Sequence, residues 1–417
     1  MIARIFLPFA IGYFLSFLLR VVNAVIAPDL VAELNLSAAD LGLLTSAFFI
    51  AFALTQLPLG VLLDRYGPRK VESAFLLLTA AGALLFSWAE TFPLLVLGRA
   101  LIGFGVSACM MAAFKAYVSW VPKERLALIN GCHLAAGGLG AIAGTAPVEF
   151  LSELMGWRGV FVVLAVMSLV ISVLIYLVIP RRGEVPASES ITKQIKDYGL
   201  VFKSSFFWRI TPFTVMSQAA FFSLQALWSG PWLRDVAGFD RGVVAWGLTL
   251  IAVAVFTGFL VGGIVTDWLR RHKISPITIG FYGMFLCMIP QALLLLEIDS
   301  FLMVSIVWMA FGFLGTGGYL IYPGLSQFFP SHLAGRVNTA LNSFVFVVAF
   351  VGQWAVGAVI ELWPVQASGG YAVEGYQAGI VMLLVAQFLG VGWYYLFPLM
   401  VKKYHQLNRA VERIKGA

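Results

Sequence analysis

Apolar runs of about 20 residues, each long enough to cross a bilayer as a helix, follow one another almost without interruption from Phe6 to Met400. Such a chain cannot have water as its main solvent. With 61% hydrophobic and 11% charged residues it lies far from the roughly 45 to 50% apolar and 25% charged make-up of soluble domains. In lipid every backbone group must be satisfied within a helix or a closed barrel, and runs of this length exclude the barrel. The fold class expected is therefore an all-α membrane protein.

The runs are read at 5–28, 39–63, 73–89, 92–121, 127–152 and 157–180, then at 208–234, 242–269, 274–297, 300–329, 333–362 and 374–400. That is twelve transmembrane helices, in two six-helix halves. The first run has no small-residue cleavage site after it and contains Arg20, so it reads as the first span and not as a removable leader. Residues 1–180 form the N-terminal bundle, 181–207 a cytoplasmic linker, 208–400 the C-terminal bundle and 401–417 a basic cytoplasmic tail. Within the linker, Ile191 to Phe202 can lie as an amphipathic helix on the membrane surface or act as a solvated tether.

The net charge of +7 would suggest nucleic acid in a soluble protein, but here it reports topology. With the N-terminus in the cytoplasm, only Arg158, Arg234 and Arg241 of the 27 Lys and Arg fall in outer loops, and Arg20, Arg99 and Lys115 fall inside spans. All others face inward. Both termini are thus expected on the cytoplasmic side of a bacterial inner membrane.

Nucleotide-binding and metalloprotease motifs are missing, and no soluble segment is large enough for catalysis, so neither an ATP-driven pump nor an enzyme is expected. No cofactor, metal or nucleic-acid partner is implied. Cys109, Cys132 and Cys287 are odd in number and lie in apolar segments, so they read as buried thiols. Together with Met110, Met111, His133 and Met288 they offer an alternative, soft-metal reading as a copper(I) path, weakened because adjacent residues on a helix do not point together. A second alternative is a sensor or assembly factor that does not transport, the tail from Lys402 to Lys415 then serving to dock it.

Ionisable groups inside a membrane helix are costly and are functional candidates by default. Tyr13, Ser16, Arg20 and Asn23 follow helical spacing and form one polar stripe, with Arg20 suited to a bidentate carboxylate or phosphate. Lys115 and His133 lie equally far from the turn at Pro122 to Leu126, which places them at similar depth. His133 also opens a stripe of small residues, Gly137, Gly140 and Gly144, that predicts close helix contact. In the second half the candidates are neutral: Gln218, Gln225, Tyr319, Tyr322, Asn338 and Asn342. No Asp or Glu is expected in the middle of a span, so the imidazole of His133, and with it Arg99, is the candidate for any proton coupling.

After the second run stands Gly60-x-x-x-Asp64-Arg65-x-Gly67-x-Arg69-Lys70, and a weaker copy, Gly263-x-x-x-Asp267-x-x-Arg270-Arg271, follows the eighth. Arg99-x-x-x-Gly103-x-Gly105 marks the fourth. This set resembles the loop signatures of the major facilitator superfamily (MFS), and the resemblance covers essentially the whole chain. It implies two pseudo-symmetric bundles, a small-molecule substrate carried by alternating access, symport or antiport with a proton or a counter-anion, and a monomer in the lipid bilayer. Asp64 follows a helix C-terminus, where the macrodipole disfavours an anion, and so needs a partner; Arg69, Lys70 and the helix start near Arg336 are candidates. With Arg65, Asp267, Arg270 and Arg271 they form an expected cytoplasmic latch.

The placing of Arg20, of Lys115 ahead of Trp120, and of Asn130-Gly-Cys-His133 resembles the organic-anion branches, especially the organophosphate/phosphate antiporters. Those carriers have a second substrate arginine in helix 7. Here that helix offers Thr214, Gln218, Gln225 and Trp228, which points to a monoanion or carboxylate instead of a doubly charged phosphate ester.

Overall fold

The computed structural model describes residues 2–180, 191–296, 298, 300–330, 333–366 and 370–415, with the side chains of 2, 3, 123, 124, 127, 128, 191–195, Asp267, Arg270 and the tail from 401 onward outside the description. Among the described residues the secondary structure is helical throughout, with no strand.

The first half of the chain forms α1 (Ile2–Leu34), α2 (Ala38–Trp88), α3 (Phe92–Val106), α4 (Cys109–Trp120), α5 (Lys123–Ala143) and α6 (Ala146–Val178). Two of these are continuous only by hydrogen bonding. Gly67 breaks α2 at φ 77° and Gly156 breaks α6 at φ 72°, a left-handed backbone open to glycine, so each changes direction where a separate loop was expected. In contrast, the expected fourth span is divided at Ser107–Ala108 into α3 and α4, and the fifth at Gly144–Thr145 between α5 and α6.

Next comes α7 (Ile191–Phe202), which settles the linker alternatives in favour of a helix over those residues. Its Asp197 is ion-paired to Arg336 at 3.3 Å, and the Tyr198 hydroxyl lies 2.9 Å from Thr339 Oγ1. The second half follows with α8 (Ser205–Ser223), a π turn at Leu224–Trp228, α9 (Ser229–Asp235), α10 (Arg241–Arg271) and α11 (Pro276–Leu293). Then come α12 (Phe301–Gly315), a 3-10 turn at Thr316–Leu320, α13 (Ile321–Phe328), α14 (Ala334–Ile360) and α15 (Val373–Lys415). Among the described residues, nine helices are long and apolar enough to cross a membrane.

Helices of this kind pack through small residues, because lipid removes the hydrophobic drive between them. The stripe on α5 does this against α1: a Cβ on Gly140 would lie 1.9 Å from the Phe14 carbonyl oxygen, and one on Gly137 2.6 Å from the Tyr13 ring. The two halves of the chain touch in the same way. A Cβ on Gly230 would lie 2.3 Å from the Ala24 carbonyl, and one on Gly357 2.3 Å from that of Ala38. At the opposite end of these helices, Gly60, Gly131, Gly263 and Gly335 all face open space. The halves therefore meet closely where α1 ends, while these glycines near its other end touch no neighbour.

One expectation is corrected. Glu72 was placed outside the third span, at a helix end; in α2 it lies five residues past the Gly67 break and is completely buried. The helix resumes at Gly67 itself, so the apolar run understated its length.

Candidate functional site

At the middle of α1, where the halves meet, Arg20 is buried with no acidic side chain paired to it among the described residues. Its guanidinium carbon sits 4.5 Å from the ring centre of Phe17, 5.8 Å from Phe52, 5.4 Å from Phe222 and 5.5 Å from Phe346. The last two come from the second half of the chain. The Tyr319 hydroxyl also faces the guanidinium, and Arg20 Nε has no hydrogen-bond partner. Ring faces soften the loss of hydration of a cation by about 0.5 to 2 kcal/mol, but they cannot accept the Nε–H in the plane of the guanidinium.

A polar chain spans the halves beside it. The Tyr322 hydroxyl donates to Asn342 Oδ1 at 2.9 Å, and Asn342 Nδ2 donates to Gln56 Oε1 at 3.1 Å, joining α13, α14 and α2. On the other side, Tyr13 stacks on His133 with ring centres 4.5 Å apart, and its hydroxyl points to Met110 Sδ at 3.7 Å. His133 Nδ1 is 3.0 Å from the Tyr117 hydroxyl. His133 thus packs into an aromatic cluster one wall away from Arg20.

The remaining candidates have other placements. Arg99 donates to the carbonyls of Leu19 and Arg20 at 2.7 and 3.2 Å, which ties α3 to the backbone of α1. Lys115 is half-buried and ion-paired with Asp64, away from Arg20. Asn23 donates to Thr45 Oγ1 at 3.1 Å, Gln218 to the Gly315 carbonyl at 3.0 Å, and Asn338 to Ser326 Oγ at 2.8 Å. All three hold helices together. Gln225 is buried in the π turn. Arg69 donates to the Tyr176 carbonyl at 2.7 Å, Arg65 lies over the Tyr66 ring and Arg271 is exposed. Asp267 and Arg270 lie outside the described side chains.

Sequence reasoning missed the aromatic wall, because Phe48, Phe52, Phe222 and Phe346 read as ordinary apolar filler. It also missed a cluster at the closed end. Arg241, at the start of α10, pairs with Asp29 of α1 at 2.7 Å and with Glu149 of α6. Nearby, the Thr145 and Thr249 hydroxyls are 2.9 Å apart. The thiols do not gather, and the expectation that all three are buried is corrected at Cys132, which is exposed; Cys109 is buried, and Cys287 in α11 points to the Phe311 carbonyl at 3.5 Å. No group of three His, Cys, Asp or Glu side chains able to hold a metal occurs among the described residues.

The helical fold, the buried arginine and the loop signatures all point one way, and the Major Facilitator Superfamily model matches residues 9–353. The chain belongs to that family, as a multi-pass membrane transporter and not an enzyme. It is 23% identical over 370 residues to the probable sulfoacetate transporter SauU of Cupriavidus necator, covering 84% of this chain and 85% of that protein. The probable galactarate/D-glucarate transporter GarP of Escherichia coli is also 23% identical, over 82% of this chain and 84% of its own length. Among solved structures, a bacterial homolog of the human lysosomal transporter Spinster, inward-facing and unoccupied, superposes with a TM-score of 0.76 at 16% identity over 94% of this chain and 96% of that one.

Proposed function

We propose that the chain is a secondary carrier that moves a small organic monoanion, a carboxylate or a sulfonate, across the cytoplasmic membrane by alternating access. The observation that carries this reading is Arg20, a buried cation without an acidic partner among the described residues, boxed by rings from both halves of the chain. A site lined by both halves is one that either half can uncover. The named substrates of the relatives, sulfoacetate and galactarate or D-glucarate, are carboxylate- or sulfonate-bearing organic anions and support that functional-group class, although each carries two negative charges; the single charge is argued from Arg20 alone. The wall offers one positive charge, which balances one negative charge.

In this reading the breaks at Gly67 and Gly156 each separate two crossings, and the pairs α3–α4, α5 with the start of α6, α8–α9 and α12–α13 are one crossing each. Twelve crossings result, six in residues 1–180 and six in 208–400, with both termini cytoplasmic. The closed end is then periplasmic and the open end cytoplasmic, an inward-facing state. In this reading Asp64, Arg65, Arg69, Lys70 and their copies in the last turns of α10 belong to the open end, where a latch is released.

Counterflow in proteoliposomes loaded with sulfoacetate or galactonate tests the reading. Wild type is expected to exchange at least one of them, and Arg20→Gln to lose that exchange at least 100-fold. Full exchange by Arg20→Gln would overturn the assignment. A further relative, the membrane sensor protein UhpC of Escherichia coli, is 23% identical over 93% of this chain and 92% of its own length. Saturable anion binding without exchange would point to a sensor instead.

A further inference from the structure

Glu72 is the one acidic side chain in the described helices that is 0% exposed while neither of its oxygens has a hydrogen-bond partner. Its Oε1 is seated in a notch of α1 that only glycine leaves open: a Cβ on Gly12 would lie 2.7 Å from it. From α4 the Cys109 thiol faces the carboxyl, while the Tyr117 hydroxyl is engaged with His133 Nδ1 at 3.0 Å. From α1 the neighbouring titratable group is Tyr13, turned away toward His133. The side of α6 next to it carries Ser172, bonded to Ser73, and α3 offers Phe104 stacked on Phe75. No arginine, lysine or histidine among the described residues pairs with it.

A lone carboxylate in so dry a place is far more costly than the neutral acid. A membrane-buried acid with no basic partner among the described residues, and at most a weak thiol donor beside it, therefore needs another reason to be there. We propose that Glu72 is the proton-binding group that couples this carrier to the proton gradient, a role the sequence alone had suggested for His133. The inference rests on the anion-carrier reading of Arg20.

The placement gives the coupling a route. Glu72 presses on α1 at Gly12, and Arg20 stands on the same helix about two turns farther on. Binding of a proton at the first and of an anion at the second both act on the position of α1. The intervening side chains, Tyr117, His133 and Tyr13, are in contact with one another. The step is an addition of one proton to one carboxylate, with nothing oxidised or reduced. One monoanion carried with one proton moves no net charge. Uptake is therefore expected to follow the pH gradient and to ignore the membrane potential.

The full-length protein in proteoliposomes tests this, with radiolabelled galactonate, a sugar-acid monoanion, as the probe. Wild type is expected to accumulate its anion at least 10-fold when the pH gradient is imposed. Glu72→Gln is expected to exchange anion within about 3-fold of wild type and yet to lose gradient-driven accumulation. Accumulation by Glu72→Gln equal to wild type overturns the proposal, and so does loss of exchange together with accumulation, which marks a structural role. A second measurement does not depend on the substrate. Infrared difference spectra across a pH step should show a carboxylic-acid carbonyl band in wild type that is missing from Glu72→Gln. If Arg20→Gln kept full exchange but this band were present, the anion site would fail and Glu72 would stand; absence of the band from wild type overturns Glu72 alone.

Discussion

Arg241 Nη2 lies 2.7 Å from Asp29 Oδ2, joining the start of α10 to the end of α1 across the two halves of the chain. The same guanidinium reaches Glu149 at the start of α6, so one cation holds two carboxylates on two helices. An exposed ion pair contributes little, typically about 0.2 to 1 kcal/mol, and Arg241 keeps 43% of its side-chain surface. The arrangement is nevertheless bidentate on Asp29 and shared with a nearly buried Glu149. Together these favour the upper part of that range, or slightly more.

Arg241→Ala is therefore expected to shift the balance toward the state open at this end by about 1 to 2 kcal/mol, roughly 5- to 30-fold in population ratio. Spin labels at the exposed positions Leu154 and Trp246, in α6 and α10, would report it as a longer distance population. An unchanged distance distribution would show that glycine packing alone keeps this end shut.

Arg20 and Arg99 have the same chemistry and opposite expected phenotypes. Arg99 spends its donors on the carbonyls of Leu19 and Arg20, and hydrogen bonds from charged groups contribute about 1.5 to 3 kcal/mol each. Arg99→Gln should lower the melting temperature of the purified protein and lower exchange along with it. Arg20→Gln removes an unpaired buried cation, so its melting temperature should hold or rise while anion binding is lost. Thermal melts with and without sulfoacetate separate the two.

Much of this was legible from the chain because lipid imposes length and polarity rules that single residues cannot evade. The apolar runs found the helices, and the stripe Gly137, Gly140, Gly144 announced the α1–α5 contact that the structure contains. The candidate site was only partly legible. Arg20 stood out as a charge in an apolar run, but its cage did not, since Phe222 and Phe346 come from distant segments and carry no polar mark. Asp64 was known to need a partner, yet that partner, Lys115, is 51 residues away and was itself read as a substrate ligand. Glu72 escaped because the apolar run began one residue after it. In each case a contact set by tertiary packing decided what periodicity could not.

The glycine contacts give a pair of matched tests. Gly140 packs within the first half, and Gly357 packs on Ala38 across the halves. Overpacking costs about 1 to 3 kcal/mol where side chains can give way, and more against a rigid backbone carbonyl. Gly140→Val should therefore reduce the yield of folded protein and its melting temperature. Gly357→Val can relieve its clash by opening the halves, so it should fold, melt near wild type and fail to exchange anion. Equal melting losses in both would mean that the inter-half seam is as essential to folding as the bundle itself.

Lys115 offers the last discrimination, between an anion ligand and a latch component. Its ammonium is ion-paired with Asp64, in the loop that resembles the family signature, and both side chains are partly exposed at the open end. A ligand would set KM, whereas a residue that exchanges partners as the halves rock would set the rate. Lys115→Gln is expected to leave KM within about 2-fold and to lower the maximal exchange rate about 10-fold, with Asp64→Asn giving the same pattern. Since the two residues act through one pair, the double variant should be no slower than either single one. A raised KM in Lys115→Gln with the rate unchanged would return this lysine to the anion site beside Arg20.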